Sequence, residues 1–288
     1  MRALLASGRI VVSPGVYDGY SARLVEKSGF SAASTTGAGI VNSRFGQPDA
    51  GIMSMMENVE ACRSIVRSCR LPVMADADTG YGNAVTVFHV VQYFEDAGVV
   101  GINIEDQAMP KRCGHLGKKV LVDAREMARK IEAACAARRD PDFIICARTD
   151  AVSIEGPEAA VARARLYAEA GADMIFPDAV RTETQIRQFV DALQVPVSIN
   201  MGFGIRSRPT TPLIAAKKLE AMGVARVSLP RMLPAAALRG MENALSLMRQ
   251  SVDAGEVIDR PDLLASIEEI SALMGEDAID ELDRRFMG

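Results

Sequence analysis

The chain has 288 residues, of which 49 % are hydrophobic, and its formal net charge is −4 with no long run of one sign. This suffices for one barrel-sized domain or two smaller ones, and nothing marks a nucleic-acid or anionic-membrane partner. The N-terminal apolar stretch is too short for a signal peptide and no segment reaches the ~18 apolar residues of a membrane span, so a soluble cytoplasmic protein is expected.

One unit recurs along the chain: a helical pattern ends at a glycine, and a short apolar strand follows directly. Strands are predicted, in chain order, at Ile10–Val12, Phe30–Ala33, Pro72–Ala75, Val99–Ile104, Phe143–Ala147, Asp173–Phe176, Pro196–Ile199 and Val224–Leu229. Helices are predicted between and after them at Ala22–Ser28, Met55–Cys69, Ala84–Ala97, Ala124–Arg138, Glu158–Ala170, Glu183–Leu193, Leu213–Met222 and Ala235–Ser251.

This alternation predicts an α/β fold, a (β/α)8 TIM barrel, with a doubly wound open sheet as the alternative. No G-x-G-x-x-G string follows a first strand, so a dinucleotide-binding fold lacks support. Two further amphipathic helices are predicted at Asp262–Met274 and Asp277–Phe286. The chain is therefore divided into a catalytic barrel, residues 1–253, and a C-terminal helical tail, residues 254–288, which packs on the barrel or on a neighbouring subunit.

In such a barrel the active site gathers at the C-terminal ends of the strands, so polar residues that follow strands are candidates. Carboxylates follow strands two to four and six, at Asp49, Asp76, Asp78, Glu105, Asp106 and Asp178. Arginines follow strands five and eight, at Arg148 and Arg231, and Asn200 follows strand seven. A divalent cation among the carboxylates and a small anionic substrate at the arginines fit this layout. Each residue also has a structural interpretation, since aspartates cap helices and Arg148 could pair with Asp150 or Glu105.

The cysteines are odd in number and none has zinc-site spacing. Cys62, Cys69, Cys135 and Cys146 lie in helical or apolar patterns and are interpreted as small buried hydrophobic residues. Cys113 differs, because it lies in the string Lys111-Arg112-Cys113-Gly114-His115, whose cationic neighbours favour a low-pKa thiol. The stretch 108–120 has the composition of a mobile lid that could deliver this thiol to a bound substrate.

Several strings resemble the isocitrate lyase and phosphoenolpyruvate mutase superfamily. They are Thr36–Gly39, Gly46–Asp49, Asp76–Asn83, Ile104–Gln107, Lys111–His115 and Ala147–Ala151. The resemblance runs from about the first strand to strand eight. It implies a barrel with Mg²⁺ at its mouth, with Mn²⁺ as the alternative ion, and 2-oxo-acid or enolate chemistry. It also implies a homotetramer, a dimer of dimers, in which the last barrel helix is exchanged between paired subunits.

The matched residues carry the implied roles. Asp76 and Asp78 resemble the metal-site aspartates, and Asp49 and Glu105 resemble the carboxylates that hold metal-bound water. Thr36, Gly37 and Ala38 resemble the loop that grips the oxo-acid end of the substrate. Arg148 and Arg239 resemble arginines that bind the substrate.

We assign the remaining roles from the thiol string and the strand ends. The catalytic residues are predicted to be Cys113, Arg148 and His115, although His115 could instead orient its loop. Gly114 and Asn200 are predicted to join Thr36, Gly37, Ala38, Arg148 and Arg239 in substrate binding.

Cys113 discriminates among branches of the superfamily. Lyases that cleave isocitrate, 2-methylisocitrate or 2-alkylmalates carry K-[KR]-C-G-H, and there the thiol protonates the carbanion left after C–C cleavage. Phosphonomutases and the oxaloacetate decarboxylase branch typically lack this cysteine, although the carboxyphosphonoenolpyruvate mutase branch looks similar through this loop.

We therefore predict a Mg²⁺-dependent carbon–carbon lyase that acts on a 2-hydroxy di- or tricarboxylate, of the 2-alkylmalate or methylisocitrate type. Its products would be a 2-oxo acid such as pyruvate and a carboxylic acid. The alternatives within the superfamily are a phosphonopyruvate- or carboxyphosphonoenolpyruvate-type mutase or hydrolase, and an oxaloacetate decarboxylase or hydrolase. A non-catalytic binding protein with the same fold is a third hypothesis.

Two departures concern the base and the substrate. Methylisocitrate lyases show a tyrosine, a proposed base, where this chain has Ser34, so the base is unassigned and Tyr17 and Tyr81 are candidates. Their strand-seven loop reads N-x-T-E-F-G, whereas the loop here is longer and adds Arg206 and Arg208. These differences predict a different dicarboxylate or a bulkier anion as substrate.

Overall fold

The structure is a computed structural model, which describes residues 1–111, 119–206 and 210–287. The chain divides into two compact units, Met1–Met232 and Leu233–Gly288. The functional boundary at residue 253 stays a prediction. In the described ranges, no helix is both long enough and apolar enough to cross a membrane.

The first unit is a barrel of parallel strands. The strands are β1 (Val11–Val16), β2 (Ala33–Thr35), β3 (Val73–Asp76), β4 (Gly101–Glu105), β5 (Ile144–Thr149), β6 (Met174–Pro177), β7 (Ser198–Asn200) and β8 (Arg226–Leu229). Strands β1 to β6 pair in chain order, and β8 pairs with both β1 and β7. A parallel bridge between Ile175 and Val197 links β6 to the chain that leads into β7, so the ring is nearly closed. The predicted (β/α)8 barrel is confirmed and the open-sheet alternative is wrong.

Helices alternate with the strands. They are α1 (Arg2–Leu5), α2 (Gly19–Lys27), α3 (Gly37–Phe45), α4 (Met55–Ser68), α5 (Ala84–Asp96), α6 (Ala124–Ala137), α7 (Pro157–Glu169), α8 (Glu183–Ala192) and α9 (Ala216–Ala221). Helix α5 shows how they pack: Val87, Val90, Val91 and Phe94 recur at helical spacing and are fully buried. The core therefore lies between the helices and the outer face of the barrel.

Most predicted elements are confirmed, with differences at their ends. The second strand is Ala33–Thr35 and not Phe30–Ala33, because its pairing with the next strand begins where the Ala33 amide donates to the Pro72 carbonyl. Helix α3 was not predicted, since its sequence GAGIVNSRF holds two glycines and no amphipathic pattern. Thr36 begins it instead, with Oγ1 accepting from the Gly39 amide at 3.2 Å.

A buried network ties α7 to β4 and β5. The Asp106 carboxylate, which is fully buried, accepts from the Thr149 hydroxyl at 2.7 Å, the Asp150 amide at 2.9 Å and the Tyr167 hydroxyl at 2.9 Å. Arg163 donates to the Tyr167 hydroxyl at 3.1 Å. Because a buried carboxylate is costly unless its oxygens are satisfied, this network fixes the position of α7 against the ends of two strands.

The second unit is helical and leaves much apolar surface exposed. It contains most of α10 (Met232–Ala254), and all of α11 (Ile267–Met274) and α12 (Glu276–Phe286). Helix α11 begins at Ile267 and not at Asp262, because Ser266 and Glu269 form a capping box that sets its N-terminus. Leu245 is 72 % exposed and Phe286 is 67 % exposed. The two predicted C-terminal helices are confirmed.

We expect Tyr167→Phe to lower the free energy of unfolding by about 1–2 kcal/mol, because it removes a buried hydrogen bond to Asp106 Oδ2, an oxygen that keeps the Thr149 hydroxyl as a donor. Urea denaturation measures this change. Tyr93→Phe is the matched control, since the Tyr93 side chain is 43 % exposed on α5. Equal stability of the two variants would show that the network contributes nothing.

Candidate active site

A cavity opens at the C-terminal ends of the barrel strands. Its lining comes from all parts of the ring, namely Thr36, Ala38, Asp49, Asp76, Glu105, Lys111, Arg148, Asp178, Asn200, Pro230 and Arg231. Nine of these residues are candidates named from the sequence, and only Lys111 and Pro230 are not candidates for cation or substrate binding. The structure thus brings most of the described candidates to one surface.

The carboxylates predicted for the metal lie on one side of this cavity. Asp76 is the last residue of β3, and its Oδ1 accepts from the Asp78 amide at 3.2 Å. Asp78 follows in a tight turn with φ 48° and is 3 % exposed. Glu105 ends β4 and is 2 % exposed. Asp49 reaches the same place from the loop after α3.

Lys111 lies among these carboxylates. Its Nζ is 2.6 Å from Asp49 Oδ1 and 2.7 Å from Asp78 Oδ1, and the residue is 4 % exposed. Burial alone would lower its pKa, but Asp78, Glu105 and Asp49 raise the pKa of Lys111 well above its usual value. In the sequence, Lys111 is recognised only as the first residue of the thiol string, and no sequence signal indicates its contacts with these carboxylates.

The site nevertheless favours a further cation. Burial raises the pKa of Asp78 to about 6, although Lys111 partly opposes this effect. Burial also raises the pKa of Glu105 well above its usual value, against the attraction of Arg148. Glu105 Oε1 is buried and has no hydrogen-bond partner among the described residues. Burial therefore disfavours the charged forms of these carboxyl groups more than the neighbouring cations favour them, and a further bound cation would stabilise the carboxylates.

The donor set fits Mg²⁺. All the candidate ligands are carboxylate oxygens, which hard cations prefer, and Mg²⁺ commonly uses only one or two protein carboxylates and keeps several waters. Within the part of the chain that the structure describes, no three His, Cys, Asp or Glu side chains form a complete ligand cluster. An ion bound here would thus depend on water or substrate oxygens for its remaining ligands.

Arg148 faces the carboxylates from the end of β5. Its Nε lies 2.9 Å from Asp150 Oδ2 and 3.3 Å from Glu105 Oε2, and one terminal nitrogen lies 3.2 Å from Asp178 Oδ2. The suggested structural pairing with Asp150 and Glu105 is therefore present. Against the effect of burial, Arg148 and Lys119 hold the pKa of Asp150 well below its usual range. Arg148 also lines the cavity, so pairing and substrate contact are compatible.

The resemblance implied that Thr36-Gly37-Ala38 is a loop. In the structure this string forms the start of α3, with Thr36 as its N-cap. A Cβ added to Gly37 would lie 2.9 Å from Asp76 Oδ2, so glycine permits the first turn of the helix to approach the β3 carboxylate. The positive end of the helix dipole at such an N-terminus favours an anion, although the Gly37 and Gly39 amides already donate to Asp76 Oδ2 and Thr36 Oγ1. The helix start thus offers an anion contact beside the carboxylate wall.

Asn200 and Arg231 form the opposite wall. Asn200 ends β7 and Arg231 follows β8, and in a ring of eight strands these positions lie across from β3 and β4. Asn200 is 7 % exposed, and its Oδ1 has no hydrogen-bond partner among the described residues. Asp178 and Arg231, named as candidates from their position after strands six and eight, both line the cavity.

Cys113, Gly114, His115 and Arg208 lie outside the described residues. Arg239 lies on α10 in the second unit, where its guanidinium is 2.7 Å from Glu242. Arg206 is exposed.

The chain on either side of the thiol string is held at the barrel mouth. Gln107 and Leu121 form an antiparallel bridge, and the Ala108 amide donates to the Val120 carbonyl at 2.8 Å. Lys119 Nζ lies 2.8 Å from Asp150 Oδ1. The segment that carries Cys113 therefore leaves and rejoins the described chain beside Arg148 and the carboxylates.

Neither candidate tyrosine is poised as a base. The Tyr81 hydroxyl accepts from Asn58 Nδ2 at 2.7 Å, and burial raises the pKa of Tyr81 well above its usual value. Burial and the charge of Asp18 also raise the pKa of Tyr17. Ser34 is bound as well, since its hydroxyl lies 2.6 Å from that of Ser13. None of these three residues is therefore assigned as the base.

Comparisons with known proteins agree with this site. The family model described as phosphoenolpyruvate phosphomutase matches residues 1–249. The 2,3-dimethylmalate lyase of Eubacterium barkeri is 37 % identical over 99 % of this chain and 96 % of its own length. The 2-methylisocitrate lyase of Escherichia coli K12 is 37 % identical over 99 % of this chain and 95 % of its own length.

Solved structures give the same result. An oxaloacetate acetylhydrolase bound to the inhibitor 3,3-difluorooxalacetate superimposes with a TM-score of 0.91 and is 32 % identical, covering 100 % of this chain and 96 % of that one. A phosphonopyruvate hydrolase bound to oxalate and Mg²⁺ gives a TM-score of 0.85 at 31 % identity, covering 100 % of this chain and 98 % of that one. With the family match over most of its length, this chain belongs to the phosphoenolpyruvate mutase and isocitrate lyase superfamily.

Proposed function

We propose that the protein is a Mg²⁺-dependent carbon–carbon lyase that cleaves a 2-hydroxy dicarboxylate or tricarboxylate, of the 2-alkylmalate or methylisocitrate type. The observation that carries this proposal is the cavity in which Asp76 and Glu105 face Asn200 and Arg231 across the barrel. One wall suits a metal-bound oxo acid, and the other suits a second carboxylate. Relatives named as lyases for these substrates, similar over nearly the whole chain, support the same reaction.

The metal would be held on the β3–β4 side. Asp76 and Asp78 are the proposed ligand residues, and Asp49 and Glu105 would bind its water ligands. When bound, Mg²⁺ supplies positive charge that stabilises the developing oxyanion of the oxo-acid product. The phosphonopyruvate hydrolase structure, which contains Mg²⁺, supports this part of the proposal.

The protein's own groups would orient the oxo-acid half. The start of α3 offers the positive end of its helix dipole to its carboxylate, and Arg148 offers a guanidinium that is already fixed by Asp150 and Asp178. A guanidinium fixed in advance loses little side-chain entropy when substrate binds. These contacts would hold the bond to be broken in one orientation.

The reaction then needs two proton transfers. A base takes the proton of the 2-hydroxyl, the C–O bond becomes the carbonyl of the 2-oxo acid, and the electron pair of the C–C bond passes to the carbon that bears the second carboxylate. We propose, from the family resemblance, that the Cys113 thiol protonates that carbon. Asn200 and Arg231 would bind the carboxylate of this leaving half.

We expect a panel followed by proton NMR with Mg²⁺ to reveal the substrate. The panel contains 2,3-dimethylmalate and other 2-alkylmalates, 2-methylisocitrate, isocitrate, oxaloacetate and phosphonopyruvate. Pyruvate or glyoxylate together with a matching carboxylic acid would establish the lyase. Oxalate with acetate would instead establish an oxaloacetate hydrolase, a second candidate favoured by the TM-score of 0.91.

In the same assay, Cys113→Ser should lower the cleavage rate by at least about 10²-fold, because a hydroxyl is a far poorer acid than a thiol at neutral pH. Cys69→Ser is the control, since Cys69 lies at the end of α4, away from the mouth. Near-normal activity of Cys113→Ser would refute the lyase mechanism.

Metal binding should weaken as the pH falls through about 6. The pKa of Asp78 is raised to about 6 by burial, so below that pH the carboxyl carries a proton that the metal must displace. Calorimetric titration with Mn²⁺ from pH 5 to 8 measures this, and affinity should level off above pH 7. An Asp78→Asn variant should bind more weakly throughout, with a flatter pH profile. A wild-type affinity that is constant from pH 5 to 8 would contradict the expectation.

We propose that the protein is a homotetramer. The second unit supports this, because Leu245, Met248 and Phe286 are each at least 60 % exposed and such an apolar surface is unfavourable in water. Light scattering coupled to size exclusion should give a mass near four times 30.9 kDa. Leu245→Asp should lower that mass, whereas a wild-type mass of 30.9 kDa would refute the proposal.

A further inference from the structure

The turn that carries Asp78 is strained. Asp78 has φ 48° and Tyr81 has φ 60°, which are left-handed conformations that residues other than glycine seldom adopt. Gly80, between them, has φ 80°, and an added Cβ would lie 2.6 Å from a methyl of Val87. Such conformations are unfavourable for residues other than glycine, so the turn persists only if its surroundings hold it.

Hydrogen bonds hold both ends of this turn. The Glu105 amide donates to the Asp78 carbonyl at 2.8 Å. Asn58, which is buried on α4, donates from Nδ2 to the Asp76 carbonyl and to the Tyr81 hydroxyl, both at 2.7 Å. These contacts fix where the chain enters and leaves the turn, and they leave the Thr79 carbonyl at its centre.

A lysine from another helix holds that central carbonyl. Lys130 lies in the middle of α6, and its Nζ donates to the Thr79 carbonyl at 3.0 Å. Lys130 is 3 % exposed and Thr79 is fully buried. The contact thus joins α6 to the centre of the turn through a charge-assisted hydrogen bond inside the protein.

Lys130 is a costly residue at this position. Lysine is rarely fully buried unless it is paired, and among the described residues no carboxylate lies within ion-pair distance of its ammonium. Glu126 and Asp106 attract the charge from farther away, but burial dominates and lowers the pKa of Lys130. An apolar side chain of similar length would satisfy the packing without this desolvation cost.

We propose that Lys130 is a positioning residue for the metal site. Its ammonium fixes the Thr79 carbonyl and so holds Asp78 in the left-handed conformation that turns its carboxylate toward Asp76 and Lys111. The inference rests on the proposed function in one respect, namely that Asp78 belongs to the metal site. It explains why a buried ammonium, whose hydrogen-bond partner among the described residues is a backbone carbonyl, lies on a helix whose other buried residues are chiefly apolar.

The test separates metal affinity from stability. Lys130→Met keeps the length of the side chain and removes its donors, and Lys130→Arg keeps the charge and the donors. Lys217→Met, an exposed lysine on α9, is the matched control. For each protein, calorimetry measures the affinity for Mn²⁺, and thermal unfolding in the presence of EDTA measures the stability of the metal-free fold.

We expect Lys130→Met to bind Mn²⁺ about 10- to 100-fold more weakly, the range for loss of an outer contact at a metal site. Its metal-free unfolding midpoint should equal or exceed that of the wild type. Lys130→Arg should restore most of the affinity, and Lys217→Met should change neither quantity. An affinity that is unchanged in Lys130→Met, or a fall that Lys130→Arg does not reverse, would overturn the proposal.

A purely structural role gives a different pattern. It predicts a lower unfolding midpoint for Lys130→Met, with the Mn²⁺ affinity of the folded protein unchanged, and this result would also overturn the proposal. If the wild type binds no Mn²⁺, the metal part of the proposed function fails together with this inference. Wild-type binding with an unaltered Lys130→Met variant refutes only the role of Lys130.

Discussion

Buried negative charge at the mouth of the barrel is the constraint on which the rest of the site depends. Glu105, Asp150 and Asp178 are each at most 2 % exposed, and they lie together at the ends of adjacent strands. A buried ion costs several kcal/mol unless it is paired and hydrogen-bonded. Arg148 meets this requirement for Asp150, to which it donates two hydrogen bonds, and it lies within ion-pair distance of Glu105 and Asp178.

The same constraint reaches the chain on either side of the thiol string. Lys111 pairs with Asp49 and Asp78 before the string, and Lys119 pairs with Asp150 after it. These pairs hold both described flanks of that string at the mouth, so the same contacts balance charge and fix the positions of the flanks. The cavity thus has one side, lined by the carboxylates, that favours a cation. The opposite side, across the ring, suits an anion.

Much of the fold could be predicted from local patterns, because a helix-ending glycine followed by an apolar strand recurs along the chain. The rule that a barrel's active site lies at the C-terminal ends of its strands identified the carboxylates of Asp76 and Glu105 as candidates. Helix α3 could not be predicted, since Thr36 begins it by capping and its glycines weaken any periodic signal. The pairing of Lys111 with Asp49 could not be predicted either, because it depends on how two distant loops meet in space.

Ser34 shows how far a sequence difference can extend in the structure. From the family resemblance, the difference at this position is only that a tyrosine is replaced by a serine. In the structure the Ser34 hydroxyl contacts Ser13 and accepts a hydrogen bond from Arg226, which is 1 % exposed inside the barrel. Arg226 also donates to Ser198 at 3.4 Å.

This cluster joins β1, β2, β7 and β8 beneath the cavity, so the difference from those lyases is not confined to the longer strand-seven loop. A serine engaged with a guanidinium and a second hydroxyl cannot act as the tyrosine was proposed to act, since its oxygen already accepts a hydrogen bond from a cation. The proton of the substrate's 2-hydroxyl must therefore leave by another group.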